Sequence, residues 1–235
     1  LFDNSSIASN LFAYTTKYRR TFQSLSAFLY GFLREGFRKV PLRTVSSMYF
    51  CFDDCACPAI DVYARAHKAE NSKRLKSHPA IMKLVEEMSS AVYTMSDVSF
   101  IRDPHYLKDA LLTYVCHNKP LPCAKTKCIS FEHVMKVFSY IDWDVKQFAK
   151  SIRRQKVCLL NAYGFLKNIV SHLLKIVSHE KPKIVLYSAH DKTMTNLLTT
   201  LGVMSNEAVS PVYASRVIFE VSIEIFTLAR VATSY

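Results

Sequence analysis

A histidine and a carboxylate stand side by side in Ser188-Ala189-His190-Asp191. Such a pair can hold an anion through the imidazole and deliver a proton through the acid. The residues before it, Lys183-Ile184-Val185-Leu186-Tyr187, form a short apolar run suited to a buried strand, and they follow the helix-stopping pair Lys181-Pro182. After it the period changes. Met194, Leu197, Leu198 and Leu201 recur on one helical face with Thr195, Asn196 and Thr199 opposite, and Gly202 suits a left-handed helix end. The carboxyl end of a strand meeting a helix start is where open α/β sheets hold ligands, because the free N–H groups there attract anions. The same residues also fit a plain capping role, with Asp191 accepting from the first N–H groups and His190 solvated. Both readings remain open at this level.

A second candidate is Arg20. It stands at the entrance of a helix whose apolar face is Phe22, Leu25, Phe28, Leu29, Phe32 and Leu33, with Gly36 as the terminator. Its planar fork suits phosphate, and an ordinary surface arginine fits the local pattern equally well.

These side chains need a scaffold. Leu159 to His179 predicts a long helix with Ala162, Tyr163, Leu166, Ile169, Val170, Leu173, Ile176 and Val177 on its apolar face, running directly into the Lys183 strand. Helix, strand and helix in quick succession is the unit of an α/β sheet with helical layers. Arg216 to Phe226 alternates as a strand near a sheet edge. The residues before Tyr14 and the last nine give no clear element. Between these segments, Lys39 to Pro58 reads as loop, and Asp61 to Met88 as polar helical cover broken at Pro79. Tyr93 to Leu112 reads as a short helix after Pro104, and Phe131 to Lys156 as helix with a turn near Asp142.

The chain has 235 residues, half of them hydrophobic, which is enough for one large domain or a domain with an insert. No apolar run approaches the ~20 residues of a membrane helix, so no membrane span is predicted. The opening residues lack a charged-then-apolar leader, so any targeting signal is expected outside this stretch. A net charge of +12 favours acidic partners. Lys146, Lys150, Arg153 and Arg154 would share one helix side, as a docking face or a solvated one. No aromatic and basic interleaving accompanies them, so nucleic acid is not the expected partner.

Seven cysteines fall as Cys51, Cys55 and Cys57, then Cys116, Cys123 and Cys128, then Cys158 alone. The first six are disulfide candidates that would tie two loops together in an oxidising compartment, with connectivity left open. Zinc, with His117 as an extra ligand, is the rival, although neither group has the paired two-residue spacing. Asn4-Ser5-Ser6 is a glycosylation sequon and adds slightly to the secretory case.

Three stretches in order resemble the histidine acid phosphatase family. They are Arg20-Thr21 before Gln23-Ser24 and an apolar helix, Ser188-Ala189-His190-Asp191 after a strand, and Tyr213-Ala214-Ser215-Arg216 before Phe219-Glu220. The resemblance implies an α/β fold with a phosphoglycerate-mutase-like three-layer core and a helical, cysteine-containing cap insert. Residues 1–38 and 158–235 would form the core and residues 39–157 the cap. It also implies metal-free, cofactor-free hydrolysis of a phosphomonoester through a phosphohistidine. Arg20 and His190 would bind the phosphoryl oxygens, and Asp191 would act as the proton donor to the leaving alkoxide. The partner implied is a phosphorylated sugar or anionic glycan, including the xylose of a glycosaminoglycan linker, in the Golgi lumen or secreted.

The family's nucleophile belongs to an Arg-His-Gly-x-Arg-x-Pro segment on the first strand. None of the eight histidines here follows an arginine or precedes a glycine. Three expectations follow: a core lacking its first strand, with part of its sheet exposed; a 235-residue piece that is itself inactive; and, as the alternative, a phosphate- or glycan-binding protein without turnover.

Overall fold

The computed structural model describes residues 10–45, 57–93, 103–124, 127–203 and 211–221, with 230–234 as backbone. The described residues fall into two compact units, one within Leu1–Asp61, Gln155–Ser205 and Ser210–Tyr235, the other within Val62–Arg154 and Asn206–Val209.

The first unit is built on a parallel sheet. Strand β1 (Leu11–Thr15) lies between β2 (Leu42–Thr44) and β5 (Ile184–Ser188), in the order β2-β1-β5. Leu11, Ala13 and Thr15 are fully buried, while Phe12 and Tyr14 are half-buried on the other side. An apolar run buried on both faces is what a central parallel strand requires. Its five residues are too few to show a period, so the run before Tyr14 passed unread in the sequence.

Helix α1 (Arg19–Leu33) covers one face through Leu25, Leu29 and Leu33, which pack with Leu11, Ala13, Val40 and Ile184. The buried row is Thr21, Leu25, Leu29 and Leu33, at strict four-residue spacing; Phe22, Phe28 and Phe32, assigned inward from the sequence, are about half exposed. Gly36 does not end this helix. Arg34 ends it at φ 50°, its N–H donating to Tyr30 O, and the chain continues through Gly36 as a 3-10 turn to Lys39.

Helix α6 (Ile152–Val177) covers the opposite face. Cys158, Ala162, Phe165, Ile169 and His172 form its buried stripe, whereas Tyr163, Val170 and Val177 of the predicted stripe are exposed. Phe165 and Ile169 meet Leu197 of α7 (Asp191–Thr200) and the rings of Tyr14 and Tyr187. By length and composition α6 could cross a bilayer, against the expectation that no segment approaches that; a third of the apolar window is buried in the fold. α7 ends as predicted, with Gly202 at φ 70°. Strand β6 (Arg216–Glu220) turns Val217 and Phe219 toward the α6 cluster and pairs antiparallel with β7 (Arg230–Ser234). Strand β7 lies among the last nine residues, which offered no element in the sequence.

The second unit gathers helices α2 (Pro58–Lys76), α3 (Pro79–Val92), α4 (Pro104–Cys116) and α5 (Phe131–Lys150). Pro79 and Pro104 occupy first-turn positions, where a missing N–H costs nothing, and Asp103 caps α4 by accepting from His105 N–H at 2.9 Å. Val85, Met88, Leu107, Leu111, Val134, Val137 and Ile141 form the core. α5 runs straight through Asp142, where a turn was predicted, and ends at Ser151. That break puts Lys146 and Lys150 on α5 but Arg153 and Arg154 on α6, and Arg153 pairs with Glu70, so the four cations do not form one helical face.

The cysteines correct the predicted loop-to-loop ties. Cys123 and Cys128, facing each other across the short hairpin β3 (Cys123–Ala124) and β4 (Lys127–Cys128), form a disulfide within the second group. Cys57 and Cys116, both disulfide candidates by sequence, are free thiols, and Cys158 is buried. Cys51 and Cys55 lie outside the described residues, as does the sequon at Asn4.

Candidate functional site

Two strands end together here. β1 and β5 are parallel neighbours with Thr15 opposite Ser188, so the residues leaving each strand emerge at one edge of the sheet. The chain leaves β1 through Thr16, Lys17 and Tyr18 into α1, and leaves β5 through Ala189 and His190 into α7. Ser188 Oγ donates to the carbonyl of Thr21 at 2.9 Å, joining the end of β5 to the first turn of α1.

His190 is the centre of the cluster and only 7% exposed. Its Nδ1 lies 3.2 Å from Arg20 Nη2 and its Nε2 lies 3.0 Å from Thr16 Oγ1. The ring of Tyr18 meets the imidazole edge-on at 5.1 Å, and the Arg20 guanidinium sits 4.6 Å from the centroid of the same ring. Behind the imidazole, Thr16 Oγ1 is 2.7 Å from Thr21 Oγ1, which donates to the Tyr18 carbonyl at 2.7 Å. The structure therefore brings two sequence-identified residues, Arg20 and His190, into direct contact across 170 intervening positions.

Asp191 is the first residue of α7 and is exposed. The simple capping reading fails on both residues: His190 holds the N-cap position, no side chain caps the helix, and the imidazole is buried rather than solvated. Helix α1, beginning after Tyr18, also lacks a side-chain cap. Two helix N-termini thus open at one sheet edge without a side-chain cap, the arrangement that attracts an anion. The first turn of α1 carries Arg19 and Arg20 and no acid, which opposes its dipole. A bound anion would relieve that opposition.

Thr16, Tyr18 and Thr21 escaped the sequence reading as site residues. The signal was a pair of threonines at the end of an unread strand, and without β1 nothing marked them. Thr193, in the first turn of α7, keeps a buried hydroxyl with no hydrogen-bond partner among the described residues. Beneath the site, Tyr14 stacks on Tyr187 at 5.2 Å and its hydroxyl lies 3.2 Å from His172 Nε2. Burial pushes the Tyr187 hydroxyl well above the usual tyrosine range, and it donates to Asn168 Oδ1 at 2.6 Å. Burial, then Lys175 and Arg43, hold His172 below the ordinary imidazole range. These uncharged rings make a firm floor between the sheet and α6.

Residues 1–224 match the family described as the histidine phosphatase superfamily (branch 2). Among curated proteins, 2-phosphoxylose phosphatase 1 of Homo sapiens is 29% identical over 234 residues, covering 94% of this chain and 45% of the human protein. The protein of that name from Mus musculus is 27% identical over 229 residues, with coverages of 94% and 45%. That from Danio rerio is 28% identical over 228 residues, with coverages of 89% and 44%. The chain spans less than half the length of these relatives.

Proposed function

We propose that this chain, which belongs to the histidine phosphatase superfamily (branch 2), provides the phosphate-binding and proton-donating corner of an enzyme that hydrolyses a phosphomonoester, with phosphorylated xylose of a glycosaminoglycan linker as substrate. The observation that carries the reading is Arg20 Nη2 lying 3.2 Å from buried His190, where two helices begin without side-chain caps. In this reading Arg20 and His190 neutralise the phosphoryl oxygens, and Asp191, exposed at the start of α7, protonates the departing alkoxide. Residues 1–38 and 158–235 serve as core, with β2 (Leu42–Thr44) pairing into its sheet, and the rest of 39–157 as cap. The names of the relatives support the substrate. The disulfide between Cys123 and Cys128 supports a secretory-pathway location.

The nucleophile in this proposal comes from an Arg-His-Gly segment beyond these 235 residues, since none of the eight histidines has that context. The test joins this chain to upstream coding sequence and assays a generic phosphomonoester and a 2-phosphoxyloside without metal. Turnover that Asp191→Asn abolishes, while inorganic phosphate still raises the melting temperature, supports the proposal. Turnover unaffected by Asp191→Asn overturns the acid assignment, and upstream sequence lacking the histidine segment overturns hydrolysis. The same absence favours a second reading, a phosphate- or anionic-glycan-binding protein without turnover. Phosphate binding with no hydrolysis by the extended chain is its signature.

A further inference from the structure

We infer that Thr16 is a positioning residue that sets the tautomer of His190, leaving Nε2 protonated and presenting the bare lone pair of Nδ1 to Arg20. The consequence for substrate rests on the phosphate-binding reading above; the tautomer itself rests on hydrogen-bond geometry alone.

The direction of each bond can be traced from either end. At one end stands the carbonyl of Tyr18, which can only accept. Thr21 Oγ1 lies 2.7 Å from it and 3.4 Å from the Thr16 carbonyl, so its single proton goes to Tyr18. Thr21 Oγ1 must then accept from Thr16 Oγ1, 2.7 Å away. Having given its proton to Thr21, Thr16 Oγ1 can only accept from His190 Nε2 at 3.0 Å, which makes that nitrogen the N–H. At the other end stands Arg20, whose guanidinium can only donate. Its Nη2 lies 3.2 Å from His190 Nδ1, which must therefore be unprotonated. Two independent starting points require the same tautomer. Thr16 and Thr21 are 5% and 3% exposed, so water has little opportunity to substitute for either hydroxyl.

Without an anion, the two phosphate ligands are thus bonded to each other. An arriving phosphoryl group draws Arg20 away, and the Nδ1 lone pair is left facing an anion. Nδ1 becomes a donor to a phosphoryl oxygen only by taking up one proton, while Nε2–H stays anchored on Thr16. The hydroxyl chain therefore assigns Nδ1, not Nε2, to the substrate.

The experiment records long-range proton–nitrogen correlations of the 235-residue chain, labelled with nitrogen-15 in histidine, at about pH 8, where imidazole is neutral. Loss of one of the eight histidine signals in His190→Gln identifies the ring. The expected pattern is protonated Nε2 and bare Nδ1. Thr16→Val should move both nitrogens toward tautomer-averaged shifts, and Thr16→Ser should restore them. Thr21→Val, which frees the Thr16 proton, should mix the tautomers with Thr16 intact, so a Thr16→Val chain that fails to fold does not end the test. A protonated Nδ1 in the unmodified chain, or unchanged ring shifts in either folded valine variant, overturns the inference. No phosphate is present in these spectra. A chain with the expected tautomer that later fails to bind phosphate would therefore count against the proposed function and leave the role of Thr16 standing.

Discussion

Asp144→Asn should destabilise the helical unit by about 2 kcal/mol, and the reason is local. Asp144 is 4% exposed on α5. Its Oδ1 accepts from Arg74 Nε of α2 at 2.9 Å, and its Oδ2 lies 3.3 Å from His105 Nε2 of α4. One carboxylate joins three helices. Removing one partner of a fully buried ion pair costs roughly 3–5 kcal/mol, because the other charge is left in low dielectric. Two features reduce that here. The Arg74 side chain is 22% exposed, keeps a 2.6 Å bond to Asn71 Oδ1 and lies 4.9 Å from the Phe148 centroid; the His105 side chain is 39% exposed and open to water. The assay is urea unfolding followed by Trp143, the single tryptophan of the chain and the neighbour of Asp144. The midpoint should fall at unchanged slope. Asp144→Asn with Arg74→Met should recover part of the loss, since the stranded cation is gone. A loss below about 0.5 kcal/mol, or a double variant worse than the sum of both singles, would refute the reasoning.

The remaining predictions concern acid, core and anion. Burial, then Arg154 and Arg74, lower the His67 pKa to about 4, below the ordinary imidazole value of 6.5. In the interval between them the unfolded chain binds the extra proton, so stability is complete above the unfolded value and is lost as pH falls from about 6.5 to 4. The ceiling is about 3 kcal/mol, and partial solvation brings it to about 1–2 kcal/mol. His67→Gln should flatten the pH dependence of urea stability by that amount. Leu29→Ala, at a fully buried position against β1, should cost about 2–5 kcal/mol in the same assay, and Phe28→Ser, at a 55% exposed neighbour, under about 1 kcal/mol. Arg20→Ala should weaken thermal protection by inorganic phosphate about tenfold or more, the worth of a charge-assisted bond; equal protection would remove Arg20 from the site.

Legibility followed the length of each signal. The Lys183 strand and the helix ending at Gly202 were readable because a strand period, a polar junction and a helix period succeed one another within 20 residues. β1 was not, because a strand buried on both faces shows no alternation and five residues give no length. With β1 unread, Thr16, Tyr18 and Thr21 could not be recognised, although Arg20 in the same turn could. Helix faces were read from apolar residue types, which overweighted Phe22, Phe28, Tyr163 and Val170 and missed Thr21 and His172. Those two polar residues face inward because Thr21 bonds the Tyr18 carbonyl and His172 meets Tyr14. In the cysteine groups, sequence offered spacing, while pairing depended on a two-residue hairpin that brings Cys123 opposite Cys128.

The parallel pairing of β1 with β5 also sets a timetable for synthesis. Thr16 and His190 are separated by 174 positions in the chain. At roughly 5–20 residues per second, β1 leaves the ribosome about 10–35 s before its neighbour β5. Through that interval the backbone edge of β1 that β5 later fills is unpaired. The helices between Val62 and Arg154 are contiguous in sequence and can gather meanwhile, since their contacts close short loops. The contact between His190 and the hydroxyl chain therefore waits for synthesis to pass β5, and a nascent chain halted before Ile184 carries every residue of α1 but no pocket.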